Sequence, residues 1–410
     1  MSDTDKPLPV GIQLTSLDEK FREDPYPILR KVQEQTRFHE DPELGRYIFT
    51  HHDDVKEILR DKHYWSDPRK AREGSFAREV LGATIPEGGE PSMLLMDEPD
   101  HRRLRSLVSS PFTPSAVERW RPRTREVVQR MLDAISTDEF DLISQFAAPI
   151  PTVVIAELLG IDAGRHEAFK HWSDRMVQVS FNPFPDEEQA AIAIEARDNL
   201  EQFFEEEIHR RSSSPGDDLL SAMIRAEEEG EKLSHQEIIT QCNLLLIAGN
   251  VTTTDLIGNG VKALLDHPEQ MQKLREDPSL IANAVEEMLR YDSPVTNSGR
   301  IAHESRQVAG CPAHQGDNLA VSLAAANRDP AVYPQPNRFD IEREDTHHQA
   351  FGGGRHLCLG AHLARLEAQE AILGLLQRYP ALQIAERGFH YHAIPTFRGM
   401  SELWVTTRPA

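Results

Sequence analysis

The sequence reads FGGGRHLCLG from Phe351 to Gly360, and a helical pattern begins directly after it. Three consecutive glycines allow the backbone to turn tightly and to approach another body closely. Cys358 then lies at the N-terminal end of the predicted helix, where free N–H groups and the positive end of the helix dipole stabilise a thiolate. A thiolate in this position, beside the small Gly360, suits a metal held above the loop. A cysteine buried next to a glycine turn is the alternative.

Composition narrows the kind of protein to which this loop belongs. The chain has 410 residues, 39% of them hydrophobic, and its three cysteines are too few and too scattered for a disulfide framework or a cysteine-built zinc site. The net charge of −22 argues against nucleic acid as a partner. The chain has no apolar run of about 18 residues, and Met1–Val10 lack an apolar signal core. We therefore expect a cytoplasmic protein that enters no membrane.

Most of the chain has helical periodicity, and strand-like segments are few. Short amphipathic helices are predicted at Asp24–Gln35 and Asp53–Asp61, and a last helix at Ala361–Tyr379. Strand-like pieces separated by glycine turns are concentrated after Gly299, and the C-terminal stretch has the pattern of a hairpin. These patterns predict a mainly α protein with a minor β part, in one compact domain over residues 1–410.

One helix is predicted to be long and buried. Ser234 and Glu237 form an S-x-x-E capping box, and Pro268 ends the pattern, so the helix spans about 50 Å. It is apolar on nearly all sides between Leu244 and Ile257. Its middle nevertheless contains Gly249 and three consecutive threonines, which are poor helix formers.

The loop around Cys358 resembles the haem-ligand loop of the cytochrome P450 superfamily. The shared pattern is Phe-x-x-Gly-x-x-x-Cys-x-Gly with a histidine two residues before the cysteine, and it is highly specific. The resemblance implies a single-domain cytochrome P450 fold in which haem b lies between the long central helix and the cysteine-bearing loop. It also implies that Cys358 is the axial thiolate ligand of the haem iron and that His356 reaches a haem propionate. The loop residues implied in haem binding are Phe351, Gly352, His356, Cys358 and Gly360.

A second motif, MDEPDHRRLR from Met96 to Arg105, resembles the propionate-binding segment of the same family. His101 and Arg105 lie at i and i+4 on one predicted helix face, where both can bind one anion; a solvated basic helix is the alternative. The resemblance implies that these two residues bind a haem propionate, as does Arg300 on a later strand. With His356, four donors for two carboxylates is a reasonable stoichiometry.

A third motif is EEMLRYD from Glu286 to Asp292, in which Glu287 and Arg290 share the polar face of a helix. Such a pair on a surface contributes only a few tenths of a kcal/mol. In the family that this chain resembles, the same pair is buried and is completed by a downstream arginine, for which PNRF offers Arg338. We expect these residues to support the cysteine loop without taking part in catalysis.

The family pattern A-G-x-(acid)-T aligns with Ala248–Thr252 of the long helix. The resemblance implies that Ala248, Gly249 and Thr252 form the catalytic side of the haem, where Gly249 leaves room for the flat macrocycle and oxygen. Thr252 is expected to donate back to the carbonyl of Ala248 and so to open a groove in the helix. Val251 departs from the family pattern, because an acid normally helps deliver protons from this position.

Valine cannot carry a proton, and three explanations for Val251 stay open. Protons reach the oxygen through Thr252 and ordered water with help from Asn250 or Asp255, or a polar group of the substrate assists their delivery. In the third explanation the enzyme takes hydrogen peroxide and needs no relay.

The resemblance implies a haem-thiolate monooxygenase, an oxidoreductase that hydroxylates or oxidatively demethylates a small to medium apolar organic substrate with O2. Two electrons from NAD(P)H arrive through a ferredoxin reductase and a ferredoxin-type iron–sulfur protein. The stretch Arg102–Arg130 contains eight arginines and two glutamates, and with Arg355 it is a candidate docking patch for this acidic donor. An exposed helix face is the alternative interpretation of the stretch. The alternative functions are a peroxide-driven peroxygenase and a non-enzymatic haem sensor or carrier.

Substrate contacts are expected from five segments, which are rich in Val, Leu, Met, Phe and Thr and therefore favour an apolar ligand. Three arginines in the first segment, Arg69, Arg72 and Arg78, either pair with a substrate carboxylate or face solvent. The five segments are residues 66–96, residues 176–185, Ala248–Thr252, Val295–Ser298 and Thr396–Phe397.

Overall fold

The computed structural model describes residues 7–82, 85, 91–180, 186–228 and 233–408. Helices predominate, as the periodicity predicts, and the strands are short. No helix within these ranges is long and apolar enough to cross a membrane. In chain order the helices are α1 (Glu19–Glu23), α2 (Tyr26–Gln35), α3 (His52–Arg60), α4 (Asp100–Val108), α5 (Pro114–Glu118), α6 (Arg121–Ala134), α7 (Pro149–Leu158), α8 (His166–Ser180), α9 (Glu187–Ser213), α10 (Leu219–Glu228), α11 (His235–Asp266), α12 (Pro268–Glu276), α13 (Ile281–Tyr291), α14 (Leu323–Ala326) and α15 (Ala361–Arg378).

The strands form one larger and two smaller sheets. A five-stranded sheet has the order β1-β2-β8-β5-β3, a three-stranded sheet the order β4-β10-β9, and β6 pairs with β7. In the larger sheet β2 and β8 run parallel, and the other pairs are antiparallel. In chain order the strands are β1 (His39–Asp41), β2 (Arg46–Phe49), β3 (Tyr64–Trp65), β4 (Glu139–Asp141), β5 (Asn297–Ala302), β6 (Arg306–Val308), β7 (Cys311–Ala313), β8 (Asn318–Ser322), β9 (Gln383–Tyr391) and β10 (Met400–Thr406).

The chain forms two compact units. The first contains the described residues within Met1–Glu87, Glu286–Cys358 and Tyr391–Arg398. The second contains those within Gly88–Val285, Leu359–His390 and Gly399–Ala410.

The five-stranded sheet is the centre of the first unit, and its strand β8 is buried on both faces. Leu319 and Val321 point to one face and pack in a cluster with Ile58 of α3. Ala320 points to the other face and packs in a cluster with Leu29 of α2. This alternation is the period of two that a pleated strand imposes. The sheet holds β5, which carries Arg300, in antiparallel register with β8.

Helix α11 is the central helix of the second unit and is contacted by α7, α8, α9, α10 and α15. The predicted capping box is present, since the Ser234 hydroxyl accepts from the Glu237 N–H and the Glu237 carboxylate accepts from the Ser234 N–H. The helix ends at Asp266, two residues before Pro268, as the sequence predicts. Its uniformly apolar middle is explained by these neighbours on most of its sides.

Candidate functional site

The cysteine loop of the first unit packs closely against the end of α3. Gly352 and Gly354 have positive φ angles of 68° and 65°. A Cβ atom at Gly354 would lie 2.5 Å from the carbonyl oxygen of Leu59, so glycine is required there for both conformation and space. The Cys358 N–H donates to the Phe351 carbonyl at 3.0 Å and closes the loop.

Cys358 is the exposed cysteine of the chain, whereas Cys242 and Cys311 are buried. Burial raises the pKa of the Cys242 thiol. Burial, with smaller contributions from Asp317 and Glu40, raises the pKa of Cys311 to about 11. Both therefore stay protonated near neutral pH, and the accessible thiol is that of Cys358.

The remaining predicted residues of the first unit surround the same loop. Arg300 is buried on β5, and its guanidinium donates to the carbonyls of Gly299 and Leu59 at 2.7 and 3.4 Å. Leu59 is also the residue against which the loop glycines pack, so Arg300 and the cysteine loop share a neighbour. His356 is half-buried in the short 3-10 turn Gly354–His356, two residues before Cys358.

Arg355 anchors the loop from the other side. Its guanidinium donates to the carbonyl oxygens of Lys62 and Tyr64, each at 3.0 Å. These two bonds explain why an arginine follows the glycines. They give Arg355 a structural role, and this role is independent of any part in a docking patch.

The Glu287–Arg290 pair is fully buried, with Arg290 Nε 2.7 Å from Glu287 Oε2. The prediction that Arg338 completes this pair is wrong. The third member is Arg343, whose Nε lies 3.1 Å from Glu287 Oε2. The Arg338 side chain is instead exposed and pairs with Asp340 at 3.4 Å, while only its carbonyl oxygen accepts from Arg290 and Arg343. Two arginines five residues apart in one irregular segment cannot be distinguished by sequence, because the fold of the segment decides which one turns inward.

In the second unit, the middle of α11 has one exposed face. Ala248 is exposed, and a Cβ atom placed on Gly249 would meet no other atom within 4 Å. The Thr252 hydroxyl donates to the Ala248 carbonyl at 2.8 Å, as the sequence predicts. Ala248, Gly249 and Thr252 therefore lie together on the accessible side of the helix.

Asn250 and Asp255, the two side chains expected to assist Thr252, lie on packed sides of α11, as does its neighbour Val251. Val251 is buried. Asn250 is buried and donates to the Ser173 hydroxyl at 3.1 Å. The Asp255 carboxylate lies against Gly399, where a Cβ atom would overlap its oxygen. Asn250 and Asp255 thus belong to the packed sides of α11 and do not share the exposed face with Thr252.

Sequence reasoning missed Glu367, a carboxylic acid buried on α15. Burial raises its pKa to about 8, and a hydrogen bond with Thr253 opposes this shift only in part. The side chain is therefore mostly protonated at neutral pH. The signal available in the sequence is a glutamate among the apolar residues of the last helix. Only the structure shows that it bonds with Thr253, the residue that follows Thr252.

His101 and Arg105 are both on α4, one buried and one half-buried. Between them, Arg103 forms a bidentate ion pair with Glu237 and ties α4 to the first turn of α11. Gly360 is the N-cap residue of α15, and a Cβ atom there would meet nothing within 4 Å. The second unit thus holds these three predicted residues and the α11 trio.

Most of the arginine-rich stretch is neutralised within the second unit. Arg121 and Arg125 both pair with Glu370 of α15, at 2.7 and 2.9 Å. Arg123 pairs with Glu157 of α7 at 2.7 Å. The acids come from helices distant in the sequence, which is why composition alone indicates a stronger basic patch than the structure contains.

The three arginines considered for a substrate carboxylate are engaged inside the first unit. Arg69 pairs with Asp67 at 2.8 Å, and Arg72 pairs with Asp317 at 3.1 Å. Arg78 donates to the carbonyls of residues 69 and 71 at 2.7 and 3.1 Å. These contacts favour a structural interpretation of all three.

Two of the segments expected to contact substrate are paired with each other in the first unit. The N–H and the hydroxyl of Thr296 both donate to the Thr396 carbonyl, at 3.0 and 3.1 Å, and Val295 bridges to Phe397. The ion pair between Arg398 and Asp292, at 2.6 Å, fixes the end of this pairing. Of the other expected contact segments, residues 83–84, 86–90 and 181–185 lie outside the described residues.

Comparison with known proteins identifies the family. The cytochrome P450 family model matches residues 45–387. Cytochrome P450 107B1 of Saccharopolyspora erythraea is 38% identical over 386 residues, which cover 91% of this chain and 92% of that protein. The vitamin D(3) 25-hydroxylase of Pseudonocardia autotrophica is 39% identical over 373 residues, which cover 90% of this chain and 89% of the hydroxylase. The crystal structure of the myxobacterial cytochrome P450 CYP267B1 in complex with myristic acid aligns with a TM-score of 0.89 at 35% identity, covering 97% of this chain and 100% of that chain.

The chain belongs to the cytochrome P450 family. The predicted fold, mainly α with a minor β part, is confirmed, and so is the prediction of a haem-thiolate monooxygenase. Members of this family bind haem through a cysteine thiolate and use a substrate, O2 and a redox partner. The assignment of one domain to residues 1–410 stays a prediction.

Proposed function

We propose that this protein is a cytoplasmic monooxygenase that hydroxylates or oxidatively demethylates a small to medium apolar organic molecule. It uses O2 and two electrons that pass from NAD(P)H through a ferredoxin reductase and a ferredoxin. The observation that supports this proposal best is the exposed Cys358 thiol in a loop that glycines and backbone hydrogen bonds hold in one conformation.

The residues present fit a haem-thiolate site. Cys358 offers the accessible thiol, and the cationic or donor groups of Arg300, His356, His101 and Arg105 match the negative charge of two propionates. Haem bound through a thiolate supplies the oxidising chemistry, because the ligand pushes electron density toward the O–O bond. The residues that we assign to haem binding are Phe351, Gly352, His356, Cys358, Gly360, Arg300, His101 and Arg105.

The exposed face of α11 suits the handling of oxygen and protons, and we assign Ala248, Gly249 and Thr252 to this role. The Thr252 proton is committed to the Ala248 carbonyl, so the hydroxyl oxygen presents its lone pairs outward as an acceptor. It can hold a water that carries a proton. Val251 cannot supply that proton, and Glu367 is the nearby protonated carboxyl, hydrogen-bonded to Thr253. We therefore infer delivery through water at Thr252 in place of a direct acid relay.

Several observations favour an apolar, uncharged substrate. Arg69, Arg72 and Arg78 are committed to partners within the first unit, which leaves them poorly placed to bind a carboxylate. The vitamin D(3) 25-hydroxylase is named for a largely apolar, uncharged molecule, and the complex with myristic acid shows a relative that binds a long alkyl chain, there with a carboxylate at its end. Val295 and Phe397 add apolar surface where the two expected contact segments pair.

The proposal is tested by spectroscopy followed by turnover. We expect the reduced, carbon monoxide-bound protein to show the thiolate-type spectrum, and Cys358→Ala to lose it. Vitamin D3 and a library of neutral apolar compounds are then screened for a shift of the haem spin state, and compounds that bind are tested with NADH, reductase and ferredoxin. A thiolate-type spectrum in Cys358→Ala would refute the ligand assignment, and NADH consumption without any oxidised product for every binder would refute the monooxygenase.

A second candidate function is a peroxide-driven peroxygenase, which the buried, apolar Val251 favours specifically. The same binders are incubated with hydrogen peroxide alone. Peroxide turnover that equals or exceeds turnover with NADH and ferredoxin would select the peroxygenase. Peroxide turnover well below it would select the monooxygenase.

A further inference from the structure

His348 lies three residues before Phe351, and both of its ring nitrogens have partners in the first unit. The side chain is 2% exposed. Its Nε2 lies 3.2 Å from Glu286 Oε2, and its Nδ1 lies 3.1 Å from the backbone nitrogen of Ala350. The neighbouring His347 side chain, in contrast, is 93% exposed.

These partners fix the tautomer of His348. A backbone N–H can only donate, so Nδ1 must accept from Ala350 and cannot itself carry a proton. The proton of the neutral ring is then on Nε2, which donates to the Glu286 carboxylate. The ring is thereby held in one orientation by a charged partner on one side and the main chain on the other.

The main chain that His348 holds leads directly to the cysteine. Ala350 precedes Phe351, whose carbonyl accepts the Cys358 N–H at 3.0 Å. The Phe351 ring also lies against the His348 ring, with centroids 5.9 Å apart. A third bond, from the Gly352 N–H to the Gln349 carbonyl at 2.8 Å, tightens the same turn. Both the backbone and the ring of Phe351 thus depend on His348.

We propose that His348, oriented by Glu286, is a positioning residue that fixes Ala350 and Phe351 so that the loop presents the Cys358 thiolate in one conformation. This inference rests on the proposed role of Cys358 as the haem ligand. Without the Nδ1 acceptor, the Ala350 N–H loses its partner, the Phe351 carbonyl shifts, and the thiolate-bound form loses stability relative to a form without thiolate.

Two replacements of His348 separate its two nitrogens. In His348→Gln the amide reaches the position of Nε2 and can still donate to Glu286, but it offers no acceptor to Ala350. In His348→Asn the amide oxygen lies near the position of Nδ1 and can accept from Ala350, while the bond to Glu286 is lost. His347→Gln places the same new side chain one residue away on the surface and is the matched control.

The readouts are the ratio of thiolate-type to non-thiolate carbon monoxide complex and the retention of haem on gel filtration, with thermal unfolding recorded in parallel. We expect His348→Gln to lower the ratio about fivefold relative to His347→Gln, the factor that a typical net hydrogen bond carries, and His348→Asn to restore most of it. A ratio in His348→Gln equal to that of His347→Gln would overturn the proposal, as would a loss in His348→Asn as large as in His348→Gln.

If His348→Gln does not fold, Glu286→Leu is the substitute test. Without Glu286 the longer imidazole ring can turn about its Cβ–Cγ bond and take Nδ1 away from Ala350, whereas the shorter amide of His348→Asn lies next to the backbone N–H, so we expect a lowered ratio in Glu286→Leu. An unchanged ratio would overturn the orienting role of Glu286 and with it the proposal. A wild-type protein without any thiolate-type spectrum would refute the role of Cys358 itself, which distinguishes failure of the proposed function from failure of the inference about His348.

Discussion

Thr252 and Val251 are adjacent in the sequence but have different surroundings. The Thr252 hydroxyl is on the accessible face of α11 and is tied to Ala248, whereas Val251 is packed against its neighbours. Neighbouring residues in the sequence are rotated by about 100° around a helix, so adjacency to Thr252 does not place Val251 on the same face. An acid at position 251 would therefore start from the packed side of α11.

Val251→Asp tests whether the missing acid limits the reaction. We expect more product per NADH, because a carboxyl can carry protons, and a loss of roughly 1–3 kcal/mol in the free energy of unfolding, because the new polar group is buried. Val251→Asn has the same shape without an ionisable proton and is the control. If neither the rate nor the yield per NADH differs between Asp and valine, proton supply at this position does not limit the enzyme.

Glu367 gives stability a pH dependence whose sign is set by its raised pKa. An unfolded chain releases this proton near 4.5, whereas the folded protein keeps it to about 8. Between these values the folded state binds one proton more than the unfolded state, so this residue makes stability fall as pH rises, up to about tenfold in the unfolding equilibrium constant per pH unit. Above about 8 both states are ionised and the dependence ends.

Glu367→Gln should remove this contribution, because the amide has the shape of the protonated acid and does not ionise. The measurement is denaturant unfolding of wild type and variant at several values between pH 5 and 9. We expect the variant to gain stability over the wild type as pH rises toward about 8, and the difference then to level off. A difference that does not change with pH would show that the Glu367 carboxyl titrates normally in the folded protein.

At the scale of elements, α11 is buried over most of its length but has an exposed face around Gly249. Gly258 and Gly249 are both on this helix but serve different needs. A Cβ atom at Gly258 would lie 2.8 Å from Ile143 Cδ1, so the glycine there allows close packing. A Cβ atom at Gly249 would meet nothing within 4 Å, so packing of the protein does not explain that glycine. The space beside Gly249 is what we assign to oxygen and substrate.

Alanine at the two positions should therefore have opposite effects. Gly249→Ala should raise the free energy of unfolding by up to about 1 kcal/mol through helix propensity, and lower turnover roughly tenfold or more by intruding on the reacting molecules. Gly258→Ala should lower stability by roughly 1–3 kcal/mol through overpacking and leave turnover per folded molecule unchanged. Denaturant unfolding and NADH-supported turnover measure both effects. Full turnover in Gly249→Ala would show that the reacting molecules do not need the space beside this glycine.

Elements with strong local signals were predictable from the sequence, and their long-range partners were not. The capping box at Ser234 and the stop before Pro268 are local rules, so the bounds of α11 agree within a residue or two. The motif around Cys358 identified the family because ten consecutive residues carry it. Arg343 was missed in favour of Arg338, and Glu367 was not noticed, because both depend on which side chains the tertiary fold brings together.

At the scale of the whole molecule, the net charge of −22 opposes the approach of the acidic electron donor that we propose. The sequence predicts the arginine-rich stretch as its docking patch, but Arg121 and Arg125 share Glu370, and Arg123 pairs with Glu157. Paired charges act over short distances only, since each cancels the field of the other. Only an arginine outside these pairs can attract a distant acidic protein with its full charge. Arg119 is such a residue, because it is exposed and has no ion pair among the described residues.

Arg119→Glu should therefore weaken donor docking more than the same change at an arginine that is already paired with an acid. We expect ferredoxin-supported turnover at low salt to fall roughly two- to fivefold, the factor that a surface ion pair carries, and peroxide-supported turnover to stay unchanged because it needs no donor. Arg197→Glu makes the same charge change on α9, where Arg197 already pairs with Asp198 at 3.0 Å, and is the control. Salt near 1 M shortens the screening length to about 3 Å and should bring both variants to the wild-type rate. An equal loss in the two variants would mean that net charge, and not a patch at Arg119, governs the encounter with the donor.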